Sequence, residues 1–375
     1  SHSGLRRLPG THIQGGGLMI RAFFAAGGTG GHISPALAVA SAMEEMGDVD
    51  ARFIATCRPV DRRMYAPLGG RVYYIDSPRV DRGIARSLLL PFRALSALGM
   101  VRGILRAEAA DVLLGTGGYS SFYSMVAART MGLPAVLHES NTVAGRSNRL
   151  ASRFAALPLT GFRAGRPGLS GRVEWAGNPV RPSLSRMNPL EARRALGIPM
   201  DRPAVLFLGG SQGARALNDL ALRAPDEVFV ILQCGESDLL RVRKETRQDQ
   251  GIKVVAFADD PSALYSAADL AVARAGAMTT AELCWFRLPS VLIPYPYAAG
   301  DHQRGNAGEL ESVGGAVMLD QDGAGESLWS LAESLLEDPE RRRGMSTALA
   351  GLMPENPAYA IARRLLETAG EGGGQ

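Results

Sequence analysis

From Met19 onward, short, largely apolar runs alternate with longer segments whose apolar residues recur every three or four positions. The runs at 20–26, 52–55, 72–75, 112–114 and 135–137 lack the alternation of a half-exposed strand, which predicts strands buried on both faces of a sheet. Between the first two, Ala36, Leu37, Val39, Ala40 and Met43 recur at helical spacing. That spacing predicts a helix with Ser34 as its N-cap, Pro35 in its first position and Gly47 closing it. Strand, helix and strand in this order build a parallel sheet covered by helices, an α/β fold.

The rhythm breaks at Gly177-Asn178-Pro179-Val180-Arg181-Pro182 and restarts with runs at 204–208, 229–233, 253–257, 270–273 and 290–293. The break predicts a hinge between two similar units, 19–180 and 181–356. Residues 1–18 are rich in Gly, His and Arg, carry no periodicity, and are expected to be an appended tail. A second interruption, 83–106, mixes Leu88, Leu89, Phe92, Leu95, Leu98 and Met100 with Arg86, Arg93, Arg102 and Arg106. It reads either as an amphipathic helix packed on the sheet or as an apolar and basic surface for an anionic bilayer.

Composition changes this picture little. At 375 residues, 46% hydrophobic and 21% charged, the chain has the make-up of a globular protein with room for two cores. A net charge of +4 is small for a nucleic-acid footprint, and no nucleic-acid partner is expected. No apolar run reaches the length of a spanning helix. Cys57, Cys234 and Cys284 lie far apart and form neither a disulfide framework nor a metal-binding spacing, so a reducing compartment is expected.

Unusual chemistry gathers where strands hand over to helices, the ligand-binding edge of a parallel sheet. Gly27-Gly28-Thr29-Gly30-Gly31-His32 follows the first run. Glycines there allow close backbone approach, and free amides at a helix start favour an anion. His32 and Ile33 break the dinucleotide Gly-x-Gly-x-x-Gly pattern, and no Gly-Lys-Ser/Thr follows for a P-loop. Gly117-Gly118-Tyr119 is a second such turn, and Gly209-Gly210-Ser211-Gln212-Gly213 repeats the first in the second unit. Arg274 to Glu282 forms a small-residue turn with threonines at a helix start, suited to a diphosphate. Glu282 either reaches a ribose diol or closes a capping box on the backbone. His138-Glu139-Ser140-Asn141 and Asp301-His302-Gln303-Arg304-Gly305-Asn306 crowd polar residues outside the core, although His138 equally suits a satisfied core histidine.

Six of these motifs in order, from Gly27–His32 through Gly177–Arg181 and Gly209–Ala214 to Gln303 and Asn306, resemble the MurG-type N-acetylglucosaminyltransferases of glycosyltransferase family 28. The resemblance covers essentially everything after Met19. It implies a GT-B fold: two Rossmann-like domains with parallel sheets facing across a cleft, and a C-terminal helix of about 357–370 returning to the first, acceptor- and membrane-binding domain. It implies transfer of N-acetylglucosamine from UDP-N-acetylglucosamine to the 4-hydroxyl of lipid-linked N-acetylmuramoyl-pentapeptide, with inversion and with neither cofactor nor metal. Carried over by motif, Ser211, Ala277, Met278, Thr279, Thr280 and Ala281 hold the diphosphate, Glu282 the ribose and the Ala258 backbone the uracil. Gln303 reads the sugar hydroxyls, and Asn141 and Arg181 reach in near the hinge. Thr29, Gly30 and Gly31 close over the reaction centre, and Gly117, Gly118 and Tyr119 face the acceptor pyrophosphate.

His32 is the expected base for the acceptor hydroxyl because histidine titrates near neutrality, the alternative being that it only hydrogen-bonds the acceptor. The implied partners are the sugar nucleotide, the lipid-pyrophosphoryl acceptor, an anionic membrane surface and other cell-wall enzymes. The implied location is peripheral, on the cytoplasmic face of the bacterial cell membrane. Arg274 and Arg304 are unusual neighbours of these motifs, and Ala258 is smaller than a branched residue often found there. The rival readings are a transferase acting on another lipid, a UDP-sugar epimerase and a catalytically silent UDP-sugar sensor. A nicotinamide dehydrogenase is disfavoured by the failed glycine fingerprint.

Overall fold

Two parallel sheets, stacked end to end along the chain, set the architecture. The computed structural model describes residues 19–77, 84–164, 168–210, 213–247, 250–353 and 355–372, with the side chains of 84–90 and 371–372 excepted. The first unit runs β1 (Ile20–Ala26), α1 (Gly30–Met46), β2 (Val49–Thr56), α2 (Pro59–Tyr65), β3 (Val72–Ile75) and α3 (Ile84–Ala107). It continues with β4 (Val112–Gly117), α4 (Gly118–Met131), β5 (Ala135–Glu139), α5 (Arg146–Ala151), β6 (Leu157–Thr160) and β7 (Glu174–Trp175). The second runs α6 (Pro189–Leu196), β8 (Ala204–Leu208), α7 (Arg215–Ala221), β9 (Phe229–Gln233), α8 (Leu239–Glu245), β10 (Ile252–Val255) and α9 (Ser262–Ala267). After β11 (Leu270–Ala273), α10 (Ala277–Phe286), β12 (Ser290–Leu292), α11 (His302–Ser312) and β13 (Ala316–Met318), it ends in α12 (Gln321–Glu337), α13 (Pro339–Leu352) and α14 (Pro357–Gly372).

The strand orders are β3-β2-β1-β4-β5-β6-β7 and β10-β9-β8-β11-β12-β13, with parallel pairing throughout. Both orders reverse direction beside their first strand, between β1 and β4 and between β8 and β11. That reversal opens the crevice in which α/β sheets bind ligands. The expected GT-B arrangement of two Rossmann-like units is therefore present.

The runs read as strands are buried as their composition demands. Phe23, Phe24, Ala25 and Ala26 have no exposed surface, and the Phe24 and Phe53 rings stack 5.4 Å apart. On one face of the first sheet, Val39 and Met43 of α1 share a core with Ala358, Ile361, Ala362 and Leu365 of α14. The C-terminal helix thus packs on the N-terminal sheet, and the chain crosses between units twice. The two crossings are pinned together. Val180 N–H donates to Asn356 Oδ1 (3.2 Å), and Asn356 Nδ2 donates back to Val180 O (2.7 Å). Beside them Gly177 has φ +82°, and a Cβ there would lie 2.6 Å from Pro357 Cγ, so glycine is required.

Several boundaries differ from the sequence reading. α1 starts at Gly30 with Thr29 as N-cap rather than at Ser34, and Pro35 lies inside the helix. Gly30 and Gly31 accept helical geometry, and Pro35, lacking an N–H, cannot donate to the Gly31 carbonyl. β4 runs on through Gly115, Thr116 and Gly117, and α4 packs on Gly115 too closely for a side chain there. A Cβ on Gly115 would meet Met125 Sδ at 3.1 Å. The 253–257 run is β10, which ends at Val255 and leaves Phe257 48% exposed. β6, β7 and β13 are further strands beyond the runs read from the sequence. α3 packs on the sheet as the amphipathic reading of its segment expects: Ala97, Val101 and Leu105 are in the core, while Phe92, Leu95 and Met100 face outward.

Candidate active site

The first glycine turn is braced from below by α2. Asp61, fully buried, accepts from Gly28 N (2.8 Å), Thr56 N (2.8 Å) and Thr56 Oγ1 (2.6 Å). Arg58 Nη1 donates to Gly28 O (2.9 Å), and the Tyr65 hydroxyl donates to Ala26 O (3.2 Å). Burial pushes the Tyr65 phenol well above its usual pKa, so it remains a donor. The Gly28 amide is therefore already spent on a carboxylate. The amides left to face a ligand are those at the start of α1, Gly30 and Gly31, which have no helical acceptor. Nothing in the sequence marks Arg58, Asp61 and Tyr65: they sit in an ordinary short helix, and only the fold brings them under the turn.

His32 stands two residues into α1, half-buried, with its ring wedged between the two glycine turns. Its Nδ1 lies 3.2 Å from Gly27 O. A carbonyl can only accept, so Nδ1 carries the hydrogen and Nε2 presents a lone pair. The second turn shapes the other side. A Cβ on Gly117, at φ +129°, would lie 2.5 Å from His32 Cδ2, and one on Gly118, at φ +84°, would collide with Gly27 O. Thr116 Oγ1 donates to His32 O (2.7 Å), tying β4 to α1. Glycine at 117 and 118 thus lets the two turns close on one imidazole. Tyr119, 36% exposed, flanks them at the start of α4.

In the second unit α10 supplies an anion cradle. Its N-cap is Gly276, and its first helical bond is Thr280 N to Gly276 O (2.9 Å), which leaves the amides of Ala277, Met278 and Thr279 without helical acceptors. The two threonines differ. Thr280 Oγ1 donates back to Ala277 O (2.9 Å) and Gly276 O (3.2 Å) and is fully buried. Thr279 Oγ1 instead lies over the N-cap glycine, 3.9 Å from where a Cβ of Gly276 would sit. Ala281 packs into the core. Ser211, predicted from the sequence to join this cradle, lies outside the described residues; the neighbouring Gly210 has φ +83°.

Glu282 is no capping-box residue, since it lies six positions after the N-cap rather than three. Its Oε2 accepts from the Tyr265 hydroxyl (2.7 Å), and Tyr265 stacks on Phe286 with ring centroids 4.7 Å apart. Burial raises the Glu282 pKa, while the Tyr265 hydrogen bond and the Arg181 charge pull it back. Arg181, arriving from the hinge, also helps lower the Asp260 pKa, whose larger causes are hydrogen bonds from Ser262. Asp260 Oδ1 accepts from Ser262 N (2.9 Å), which holds the turn leading into α9. Ala258 N donates to Gln233 Oε1 (3.2 Å), leaving the Ala258 carbonyl as the group it presents.

Gln303 Oε1 accepts from Tyr295 N (2.9 Å), which orients its Nε2 donors away from that loop. The same loop is held by Arg274. This buried guanidinium donates to Ile293 O (3.0 Å), Pro294 O (3.1 Å) and Gln321 Oε1 (2.5 Å), and burial lowers its pKa. Arg304 pairs with Asp320 at the surface.

Between the units, α1 and α10 approach within 8 Å, Cα to Cα. Asn141 bridges them on the side of β5: its Nδ2 donates to Glu139 Oε1 (3.2 Å), and its Oδ1 accepts from Asn306 Nδ2 (3.2 Å). Glu139, 3% exposed, also accepts from Asn141 N, Gly145 N and Asn148 Nδ2. His138 does not face the cleft. It is fully buried, with Nε2 donating to Gly177 O (2.9 Å), and burial lowers its pKa. Of the alternatives the sequence left open, the satisfied core histidine is what the fold contains.

The site so built combines a histidine lone pair on one side with an anion cradle and a carboxylate on the other. The glycosyltransferase family 28 N-terminal domain matches residues 22–157, and the family 28 C-terminal domain matches residues 204–365. A UDP-N-acetylglucosamine--N-acetylmuramyl-(pentapeptide) pyrophosphoryl-undecaprenol N-acetylglucosamine transferase of Acidithiobacillus ferrooxidans is 38% identical over 362 residues, covering 92% of this chain and 97% of that protein. A protein of the same description from Halorhodospira halophila is 37% identical over 354 residues, with 92% and 97% covered. Among solved structures, MurG of Acinetobacter baumannii superposes with a TM-score of 0.74 at 28% identity, covering 93% of this chain and 99% of that one.

Proposed function

Because the chain belongs to glycosyltransferase family 28, we infer that it moves N-acetylglucosamine from UDP-N-acetylglucosamine to lipid-linked N-acetylmuramoyl-pentapeptide, building the disaccharide precursor of peptidoglycan. The observation that carries this reading is identity of 38% along almost the whole of both chains, and the approach of α1, which carries His32, to α10 supports it.

In this reading the acceptor 4-hydroxyl attacks the anomeric carbon while the bond from that carbon to the UDP oxygen breaks. The hydroxyl proton passes to His32 Nε2, whose lone pair is exposed by the Nδ1 contact to Gly27 O. The leaving diphosphate gains negative charge, which the amides of Ala277, Met278 and Thr279 and the Thr279 hydroxyl take up. Attack opposite the leaving group converts an α-linked donor into a β-linked product. Glu282 Oε1 is the acceptor for a ribose hydroxyl, because Oε2 already holds Tyr265. The Ala258 carbonyl is the group offered to uracil, and the Gln303 amide nitrogen donates to the sugar. The start of α1 and the Gly117–Tyr119 turn face the acceptor pyrophosphate. Asn141 contributes by holding the cleft wall, since its carboxamide is engaged on both sides.

The outward residues of α3, Phe92 (72% exposed), Leu95 (65%) and Met100 (46%), with Arg93, paired to Asp76, and the half-buried Arg102 beside them, are read as the surface that meets an anionic bilayer and delivers the lipid acceptor. No described helix is long and apolar enough to cross a membrane. The reading places the protein on the cytoplasmic face, where other cell-wall enzymes are its neighbours.

The test is UDP release from UDP-N-acetylglucosamine with a short-chain lipid-pyrophosphoryl-muramoyl-peptide, with and without chelator. Acceptor-dependent release that survives chelation is the expected outcome. Release without acceptor would replace this reading with hydrolysis or epimerisation.

A further inference from the structure

Beneath the first glycine turn lies a charge that a bound anion would meet unfavourably. Asp61 has no exposed surface, and its three hydrogen bonds all come from neutral donors: Gly28 N, Thr56 N and Thr56 Oγ1. Its oxygens only accept, as those of an ionised carboxylate do. Among the described residues Asp61 forms no ion pair. Like charges repel strongly where water is excluded, so an anion held at this turn needs a cation beside it.

Arg58 is placed to supply one. β1 and β2 run parallel with Ala25 opposite Ile54. The residues that follow the two strands therefore emerge side by side at the carboxyl edge of the sheet, where α/β sheets bind ligands. Arg58, half-buried, comes two positions after the end of β2, and its Nη1 donates to Gly28 O (2.9 Å). A Cβ on Gly28, at φ +92°, would lie 3.2 Å from Nη1 and 3.9 Å from Cζ, so the guanidinium rests beside the bare Cα of the turn. Among the described residues Nε and Nη2 have no acceptor, and no carboxylate pairs with Arg58. Arg52, Arg193, Arg241, Arg304 and Arg364, by contrast, each pair with a carboxylate. A guanidinium anchored through one nitrogen presents the others as a fixed fork, the geometry that matches a phosphate.

We propose that Arg58 binds the diphosphate of the lipid acceptor, offsetting the Asp61 charge and completing an anion site whose other donors are the Gly30 and Gly31 amides at the start of α1. This rests on the transferase reading above and adds to it a residue that touches substrate. Asp61 fixes the Gly28 amide, while Arg58 holds the carbonyl of the same residue and reaches outward. A lipid without a diphosphate offers this guanidinium nothing, so Arg58 also sets the class of acceptor.

Inorganic pyrophosphate is the probe, titrated by calorimetry into protein saturated with UDP, which on the reading above fills the α10 cradle. Wild type is expected to bind one pyrophosphate and Arg58→Gln to bind it at least about tenfold more weakly. Arg58→Lys, which keeps the charge but not the fork, is expected to fall between them and decides the matter if Arg58→Gln does not fold. In turnover, Arg58→Gln is expected to raise the KM for a short-chain lipid-pyrophosphoryl-muramoyl-peptide by about 10- to 100-fold, with the KM for UDP-N-acetylglucosamine held within about threefold. No pyrophosphate binding by wild type, or equal affinity in the variants, overturns the assignment. A matched rise in both KM values would mean that Arg58 only shapes the turn through Gly28 O, and a rise confined to the donor would move it to the leaving diphosphate; either result overturns the proposal. Wild-type protein lacking acceptor-dependent UDP release would overturn the transferase reading instead, while the pyrophosphate titrations still judge Arg58.

Discussion

At the scale of single residues, one imidazole is positioned by atoms that carry no charge. Gly27 O fixes the His32 tautomer, and the missing side chain of Gly117 makes room for the ring. His32→Ala is expected to lower acceptor-dependent turnover by about 10²–10⁴-fold with the fold intact. Gly117→Ala is expected to approach that loss with His32 still present, since its Cβ would displace the ring. Near-normal turnover in His32→Ala would leave His32 as a hydrogen-bonding group only. His138 makes a separate prediction. Its folded pKa lies below the ordinary 6.5, so on acidification the unfolded chain takes up a proton before the native one does. Stability from this group is complete above pH 6.5 and declines as the pH falls from there toward the depressed native value. The thermal midpoint should therefore drop more steeply between about pH 7 and pH 5 in wild type than in His138→Gln, which removes the titrating ring. Parallel curves would show that another group controls that range.

At the scale of elements, the sequence displayed the sheets well and the site unevenly. β8 is wholly buried, and β1 is buried from Ala22 to Ala26, so their composition alone announces them. Helix starts at the glycine turns were harder, because Gly30 and Gly31 are poor helix formers and a proline follows. Tertiary packing rather than local propensity begins α1 at Gly30. The glycine turns and the α10 turn were legible as chemistry because small and polar residues gather there at the ends of buried strands. Arg58, Asp61 and Tyr65 were not legible, for their function is to satisfy backbone groups that only the fold brings near. The two threonines of α10 show the same limit. Both looked like diphosphate ligands, yet Thr280 spends its hydroxyl on its own helix. Thr279→Val is accordingly expected to raise the KM for UDP-N-acetylglucosamine by roughly tenfold or more, the worth of a hydrogen bond to a charged group. Thr280→Val is expected to leave that KM close to wild type. Equal effects of the two would move the diphosphate away from the first turn of α10.

At the scale of the whole molecule, chemistry needs a water-soluble donor and a bilayer-bound acceptor to meet in one cleft. In the proposed reading the second unit receives the donor at the start of α10, and the first carries both His32 and α3. Burial within α3 divides its residues: Ala97, Val101 and Leu105 hold the helix to the sheet, so Phe92, Leu95 and Met100 can be changed without disturbing the core. Full burial of a Phe or Leu side chain is worth about 1.5–3 kcal/mol. Replacing Phe92 and Leu95 together with serine should therefore remove roughly 3 kcal/mol of bilayer affinity, about a hundredfold in partitioning. Flotation with vesicles containing anionic lipid measures this directly. Raised salt should weaken wild-type binding further, because Arg93 and Arg102 act through a screened field. Turnover separates membrane docking from catalysis. The double variant is expected to keep wild-type rates on a short-chain soluble acceptor and to lose rate only when the acceptor is embedded in vesicles. Equal flotation of variant and wild type would mean that the exposed face of α3 serves something other than the lipid surface, and delivery of the acceptor would then fall to the glycine turns alone.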